Sequence, residues 1–117
     1  MEITIPEDCG NSPRMTIVAE IAAAWAAGED ASVRAWLTQD AQWMLVGADD
    51  PPAEGYVPPP MVADSGEILT VLNHGRLAAC DGYVVSGGER IDFCHMIRFA
   101  GTTKTAKIRE IRTYLQR

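Results

Sequence analysis

The chain lacks long apolar runs and an excess of positive charge, and each absence argues against a class of protein. No stretch approaches the roughly 18 consecutive apolar residues that a membrane-spanning helix needs, so no membrane partner is expected. Ten Lys and Arg face 16 Asp and Glu, for a net charge of -6. That charge repels a phosphate backbone, so we expect no nucleic-acid partner.

The chain is also poor in cysteine and histidine, the residues that form disulfides and bind metals. Cys9, Cys80 and Cys94 are odd in number and contain no C-x-x-C pair, so neither a disulfide framework nor a cysteine zinc site is expected. Two histidines, His74 and His95, do not form a metal pattern, and we predict no metal and no cofactor. The acidic residues near the start stand where a signal peptide has basic ones, which predicts a cytoplasmic location.

What is present is ordinary globular composition. With 117 residues, of which 47% are hydrophobic, the whole chain 1–117 is expected to form one domain around one core. Its charge is uneven, because residues 1–70 carry 2 basic and 12 acidic side chains while residues 71–117 carry 8 basic and 4 acidic. This predicts either a dipolar surface that steers a ligand or partner, or simply two differently solvated faces.

Two helices are predicted after an N-terminal arm of residues 1–11. Pro13 follows two good N-cap residues, and apolar residues then recur at helical spacing to about Ala27. Gly28 stands where a left-handed C-terminal cap belongs. Asp30 can cap a second short helix, whose apolar stripe is formed by Val33, Trp36 and Leu37.

The rest of the chain alternates with period two and predicts strands. The first covers Asp40 to Val46 and is expected to be buried on both faces. A Pro-rich loop over 48–66 cannot form a helix or a central strand, because proline removes amide donors. Short turns then indicate an antiparallel meander of four strands: Glu67–Asn73, Leu77–Ser86, Glu89–Phe99 and Ala106–Leu115.

Two questions of register stay open. If Gly87-Gly88 is a two-residue turn without a bulge, Cys80 lies opposite His95. A glycine bulge at Asp81-Gly82, which we expect, places Cys80 opposite Cys94 instead. On the last strand, Ile108 and Ile111 cannot both face inward unless that strand contains a bulge, so the orientations of Arg109 and Arg112 are open too.

One imidazole interrupts an apolar row. Ile91, Phe93, His95, Ile97 and Phe99 share one face of their strand, since strand side chains alternate. A buried polar group needs a hydrogen bond, so His95 either finds a partner in the core or lines a cavity. The candidate partners are Cys80, Asp81, Tyr56, Glu110, Arg112 and Tyr114.

The order of these elements resembles the NTF2-like superfamily and its SnoaL-like members. The resemblance rests on the turn from Ala26 to Asp30, the strand opening Asp40-Ala41-Gln42-Trp43 and the last strand Ile111-Arg112-Thr113-Tyr114-Leu115, and it covers nearly the whole chain. Three further segments of this chain have recognisable counterparts in SnoaL-like members: Asn73-His74-Gly75-Arg76, Asp81-Gly82 and Phe93-Cys94-His95. It implies an α+β, cone-shaped, cystatin-like fold, with N-terminal helices packed on a curved antiparallel sheet, and a homodimer formed through the outer sheet face.

Within that superfamily, ketosteroid isomerase allows a comparison by position. Its inward acid matches His95, whereas its general base and tyrosine fall on Leu45 and Ile21, which cannot transfer protons. The resemblance also places Ile111 inward. The resemblance implies an apolar pocket in this chain. We expect it to be lined by Trp43, Leu45, Phe93, His95, Ile97 and Ile111, and by Tyr56 from the Pro-rich loop.

Three functions follow as hypotheses. The first is binding of a small apolar or carbonyl-containing molecule in this pocket. The second is an isomerase, dehydratase or cyclase in which His95 is the catalytic general acid or base, which requires a second polar group nearby. The third is a structural dimerisation module whose core is filled by side chains.

Overall fold

The structure is a computed structural model that describes residues 2–5, 13–47, 63–103 and 105–116. Tyr56 and most of the Pro-rich segment lie outside these residues. The elements in chain order are β1 (Glu2–Thr4), α1 (Pro13–Ala27), α2 (Asp30–Arg34), β2 (Leu37–Leu45), β3 (Ser65–His74), β4 (Leu77–Ser86), β5 (Glu89–Phe99) and β6 (Ile108–Gln116).

The strands form one curved six-stranded sheet in the order β1-β3-β4-β5-β6-β2, and the helices pack on one of its faces. The predicted α+β class is confirmed, but the prediction of a purely antiparallel sheet is wrong. β1 pairs parallel to β3, and β2 pairs parallel to β6. Turn residues indicate only neighbours along the chain, whereas parallel strands join through long connections, so these edge pairings left no local signal.

α1 begins and ends as its sequence predicts, whereas the cap predicted for α2 is wrong, because Asp30 is the first helical residue and Glu29 is the N-cap. α1 begins at Pro13, where the missing N–H has no partner to lose, and it ends in Gly28 with a φ of 78°. The amide of Gly28 donates to the carbonyl of Trp25, and that of Glu29 donates to Ala24. These bonds form a Schellman motif, which closes the helix tightly enough for α2 to follow. α2 is shorter than predicted, because Leu37 already belongs to β2.

The arm and the first strand differ from their predictions. Glu2–Thr4 is a strand within the predicted arm. β2 starts three residues before Asp40, and it is buried on one face only, because Gln42 and Met44 are exposed. Apolar residues at both phases of β2 suggested two buried faces, yet the described helices cover only one side of the sheet.

The central hairpin settles the first register question. Gly87 and Gly88 both have positive φ, which a two-residue turn of this kind requires. β4 and β5 pair without a shift, so Cys80 lies opposite His95. The glycine bulge expected in β4 at Asp81-Gly82 does not occur. The extra residue is Leu69 of β3, where the register against β4 shifts between Ile68 and Thr70. The prediction of Cys80 opposite Cys94 is therefore wrong.

The last strand contains the bulge that its pattern requires. The pairing of β5 with β6 shifts between Arg98 and Phe99, and as a result both Ile108 and Ile111 are buried. Arg109, the residue between the paired positions, is exposed.

A buried arginine connects the start of α1 to the end of β5 and to the loop that follows it. The Nη2 atom of Arg14 donates to the carbonyl of Thr103 over 2.7 Å, and its guanidinium lies 3.9 Å from the centre of the Phe99 ring. This contact combines a charge-assisted hydrogen bond with a cation–π interaction.

Within the part of the chain that the structure describes, no helix is both long enough and apolar enough to cross a bilayer. The cytoplasmic location and the absence of a nucleic-acid partner stay predictions from composition.

Candidate functional site

His95 lies on the inner face of the sheet, the face that packs against α1. Its side chain is only 2% exposed, and the apolar members of its row on β5 are buried with it. The period-two alternation of β5 therefore places an imidazole in the main core rather than on the surface.

Three aromatic rings surround the imidazole. The ring centre of His95 lies 4.7 Å from that of Trp25, 5.0 Å from that of Phe93 and 5.9 Å from that of Trp43. The two tryptophan rings stand nearly perpendicular to the imidazole, at 89° and 86°. We call these four side chains the aromatic cluster. Trp25 comes from α1, Trp43 from β2, and Phe93 and His95 from β5, so the aromatic cluster forms only when the helix packs on the sheet.

A threonine connects two members of the aromatic cluster. The Nε1–H of Trp43 donates to Oγ1 of Thr113 over 2.7 Å, and the same oxygen lies 2.7 Å from Nδ1 of His95. Thr113 is fully buried and is the direct neighbour of His95 across β5 and β6. The hydroxyl therefore satisfies the polar atoms of two rings that would otherwise be buried without a partner.

Burial sets the charge of His95. Loss of hydration inside the core lowers the pKa of the imidazole from the ordinary 6.5 to about 3. The ring is therefore neutral at neutral pH, with a proton on only one of its two nitrogens.

Two polar atoms of the aromatic cluster have no hydrogen-bond partner among the described residues. These are Nε2 of His95 and Nε1 of Trp25, both buried among the described side chains. Most buried polar side-chain atoms in proteins are hydrogen-bonded, so each unpartnered one needs an explanation. Here two lie on adjacent rings.

The candidate partners of His95 fall on different sides of the sheet. Cys80 is buried on the inner face opposite His95, whereas Asp81 pairs with Cys94 on the other side, the outer face. Burial, and then the carboxylate of Asp81, raises the pKa of the Cys94 thiol, which disfavours a reactive thiolate there. Arg112 and Tyr114 are exposed, and Glu110 alternates with the inward Ile111.

Most of the predicted pocket residues are placed together. Trp43, Phe93, Ile97 and Ile111 are buried with His95, and Leu45 is partly buried and pairs with Thr113. Tyr56 lies outside the described residues.

Sequence reasoning missed Thr113, the partner that His95 has. A signal for it existed, because Ile111 was expected inward and period two then also turns Thr113 inward. Glu110, Arg112 and Tyr114 are the more polar side chains of β6, but they alternate with the inward residues and leave Thr113 as the inward polar group.

Grooves lined by described residues lie elsewhere. One of about 440 Å³ lies beside α1 and is lined in part by Ile5, Glu20, Glu29 and Trp36. Another of about 250 Å³ lies on the outer face of the sheet. Among the described side chains, no group of three or more His, Cys, Asp or Glu is placed to bind a metal ion.

Solved structures share this arrangement of helices on a curved sheet. An NTF2-like protein of unknown function from Burkholderia xenovorans LB400 superposes with a TM-score of 0.68 at 14% identity, covering 90% of this chain and 87% of the other. The fold is NTF2-like. No known family profile matches the sequence, and no curated protein does.

Other proteins with the same fold differ widely in what they do. A steroid delta-isomerase from Pseudomonas aeruginosa gives a TM-score of 0.62 at 16% identity, covering 92% of this chain and 82% of the other. A de novo designed protein with a curved β-sheet gives 0.69 at 15% identity, covering 92% and 88%. At these identities the comparison shows the NTF2-like fold alone, so function has to be argued from the site.

Proposed function

We propose that this NTF2-like domain binds a small, largely apolar molecule on the inner face of its sheet, beside His95. The observation that carries the proposal is the buried Nε2 atom of His95, which has no hydrogen-bond partner among the described residues. A buried polar atom inside an aromatic cluster is the kind of group that orients a ligand in an otherwise apolar site. One protein of similar fold is a steroid delta-isomerase, whose name implies a mostly apolar substrate.

Binding is a better-supported role for His95 than proton transfer. A pKa of about 3 leaves too little imidazolium for a general acid at neutral pH and makes the neutral ring a weak base. Its hydrogen-bond partner in the described structure is Thr113, which does not titrate in this range. Thr113 is thus a polar neighbour of His95, but no titratable partner for proton transfer is among the described contacts of His95.

A thermal-shift screen of small aromatic ketones, lactones and hydrocarbons tests the proposal. At ten times its Kd, a ligand stabilises the folded protein by roughly 1.4 kcal/mol, which raises Tm by about 5 °C in a domain of this size. We expect ligands that shift wild type and the control His74→Ala but shift His95→Ala much less.

Two outcomes of this screen count against the proposal. Ligands that stabilise wild type and His95→Ala equally contradict a contact with His95. If no compound shifts wild type, the aromatic cluster is a filled core, which favours the structural reading.

We also propose that the domain forms a homodimer through the outer face of its sheet. Leu72, Leu77 and Met96 are 61%, 48% and 41% exposed, and they line the apolar groove of about 250 Å³ on that face. Leu72, Ala79 and Met96 are direct neighbours across three strands, so the patch is continuous. Large apolar patches on a surface mark interaction sites.

The border of this patch suits a second copy of the chain. Arg98, Glu110 and Arg112 lie beside Met96 and make no ion pair among the described residues. A two-fold interface brings the same surface to both subunits, so a border with both signs of charge can pair with itself.

A charge placed in the patch should separate the subunits. We expect wild type to sediment as a dimer and Leu72→Glu as a folded monomer, because the interface would have to bury an unpaired carboxylate. Ile5→Glu is the matched control, since Ile5 is similarly exposed, at 37%, but lies beyond β1. Analytical ultracentrifugation decides the matter, and a monomeric wild type contradicts the proposal.

A further inference from the structure

We infer that Thr113 is a positioning residue that holds His95 in its Nε2–H tautomer, so that the inner site presents hydrogen-bond donors and selects an uncharged ligand with an acceptor oxygen. The ligand part of this inference rests on the proposed binding function. The tautomer part concerns the protein alone.

The argument begins with the single proton of the threonine hydroxyl. The indole Nε1–H of Trp43 is a donor only, so in the bond between the two side chains the Thr113 oxygen must accept. Among the described residues, the only other hydrogen-bond partner of this hydroxyl is Nδ1 of His95, at 2.7 Å. The hydroxyl proton is left without an acceptor unless it is donated to Nδ1.

The accepting nitrogen decides the tautomer. A nitrogen that accepts a hydrogen bond carries no proton, so Nδ1 of His95 is bare. The neutral imidazole then has its proton on Nε2, and Nε2 is buried without a partner in the part of the chain that the structure describes. The two hydrogen bonds therefore have a fixed donor-to-acceptor order: the Trp43 indole donates to the Thr113 hydroxyl, and this hydroxyl donates to the His95 imidazole. The Nε2–H group of His95 is then left as a donor without an acceptor among the described residues.

The second unpartnered atom has the same chemical character. Nε1 of Trp25 is also an N–H donor, and its ring is the nearest of the three to the imidazole. The aromatic cluster thus presents two donors and no unpartnered acceptor among its side chains. A ligand hydroxyl or amine gains less here than a carbonyl or ether oxygen, because its own donor finds no acceptor in the aromatic cluster.

The surroundings also decide the charge of the ligand. A carboxylate would accept from both N–H groups, but no cationic side chain belongs to the aromatic cluster. Burying an unpaired charge is far more costly than burying a hydrogen-bonded neutral group. The neutral state of His95, whose pKa burial lowers to about 3, offers no counter-charge either. A ketone, lactone or similar neutral carbonyl compound is the class that fits.

Nuclear magnetic resonance can read the tautomer directly in the ligand-free protein. The sequence has two histidines, so a His74→Gln background leaves His95 as the one imidazole. In this background, two-bond correlations from the ring carbon protons to both ring nitrogens report which nitrogen carries the proton. We expect a protonated Nε2 and a bare Nδ1.

Two substitutions then test whether Thr113 is the cause. Thr113→Ser keeps the hydroxyl and should keep the Nε2–H tautomer. Thr113→Val keeps the shape but removes the hydroxyl, so the Nδ1–H tautomer should become populated. If Thr113→Val does not fold, the wild-type and Thr113→Ser spectra still decide the assignment. A protonated Nδ1 in the wild type overturns the inference and leaves the proposed function standing.

The ligand part is tested with two probes of one shape, 1-indanone and indane. We expect 1-indanone to bind wild type about fivefold more tightly than Thr113→Val, as the loss of one oriented hydrogen bond implies. Indane has no acceptor and should bind both proteins equally. If Thr113→Val binds both probes more weakly than wild type by the same factor, the inferred selectivity for an acceptor oxygen is overturned. If neither probe binds while Nε2 is protonated, the inferred ligand selectivity fails and the tautomer assignment stands; the proposed function fails as well if the thermal-shift screen also finds no ligand.

Discussion

Replacing His95 with glutamine should flatten the loss of stability that this domain shows in mild acid. In the unfolded chain the imidazole binds a proton below its ordinary pKa of 6.5, whereas burial keeps the folded pKa at about 3. Between these values the unfolded state holds more protons, so the free energy of unfolding falls as the pH falls. The linkage amounts to about 1.4 kcal/mol per pH unit for one proton, or about 2 kcal/mol between pH 6.5 and 4.5.

Urea unfolding of the two proteins at a series of pH values measures this effect. The carboxylates are common to wild type and His95→Gln, so the difference between the two curves isolates the imidazole. His74→Gln removes the other histidine, which lies exposed at the end of β3, and should follow the wild-type curve. Parallel curves for wild type and His95→Gln would show that His95 is hydrated, or paired with a carboxylate, in the folded protein.

Gly82→Ala is expected to be the most damaging small substitution in the sheet. A Cβ at this position would overlap the carbonyl oxygen of Glu67 and lie 3.0 Å from Cα of Ile68. These are backbone atoms at the bulge between β3 and β4, so no side-chain rotation relieves the clash. We expect a loss of about 3 kcal/mol or more, with a fall in Tm of at least 10 °C.

Gly101→Ala is the matched control for this substitution. A Cβ there meets only the side chain of Ala106, at an ordinary 3.8 Å, and stability should change by no more than about 0.5 kcal/mol. Thermal and urea unfolding of both variants provide the comparison. If Gly82→Ala loses less than 1 kcal/mol, the strands do not approach as closely at the bulge as the structure shows.

The bulge of β3 beside Gly82 also bears on the site. Gly82 lies directly opposite Phe93, a member of the aromatic cluster, in the pairing of β4 with β5. A shift of β4 at this point would move Phe93 against His95. We therefore expect folded Gly82→Ala protein to show a changed His95 ring environment as well as lower stability.

Several parts of the fold were predictable because their signals are local. Pro13 and Gly28 mark the ends of α1, and Gly87-Gly88 marks the turn that sets the register of β4 against β5. The conflict between Ile108 and Ile111 correctly indicated a bulge in β6. In each case the conformation depends on the backbone preferences or the alternation of a few neighbouring residues.

Other parts had no local signal. The parallel pairing of β1 with β3 joins residues that are far apart in the sequence. The bulge was expected in the wrong strand: Gly82 of β4 is regularly paired, and the extra residue is Leu69 of β3. A glycine indicates that two backbones approach closely without indicating which strand contains the extra residue. The exposed outer face of β2 depends on which side of the sheet the helices cover.

The place of His95 in an apolar row follows from the alternation of β5 alone, since period two puts it on the same face as its apolar neighbours. The side chains that contact the imidazole depend on how the helix and the strands assemble. Trp25 comes from α1, Trp43 from β2 and Thr113 from β6, and no spacing along the chain brings these three together. The direction of the hydrogen bonds, and hence the donor that His95 offers, follows from that assembly, since each proton goes where a neighbouring atom can accept it.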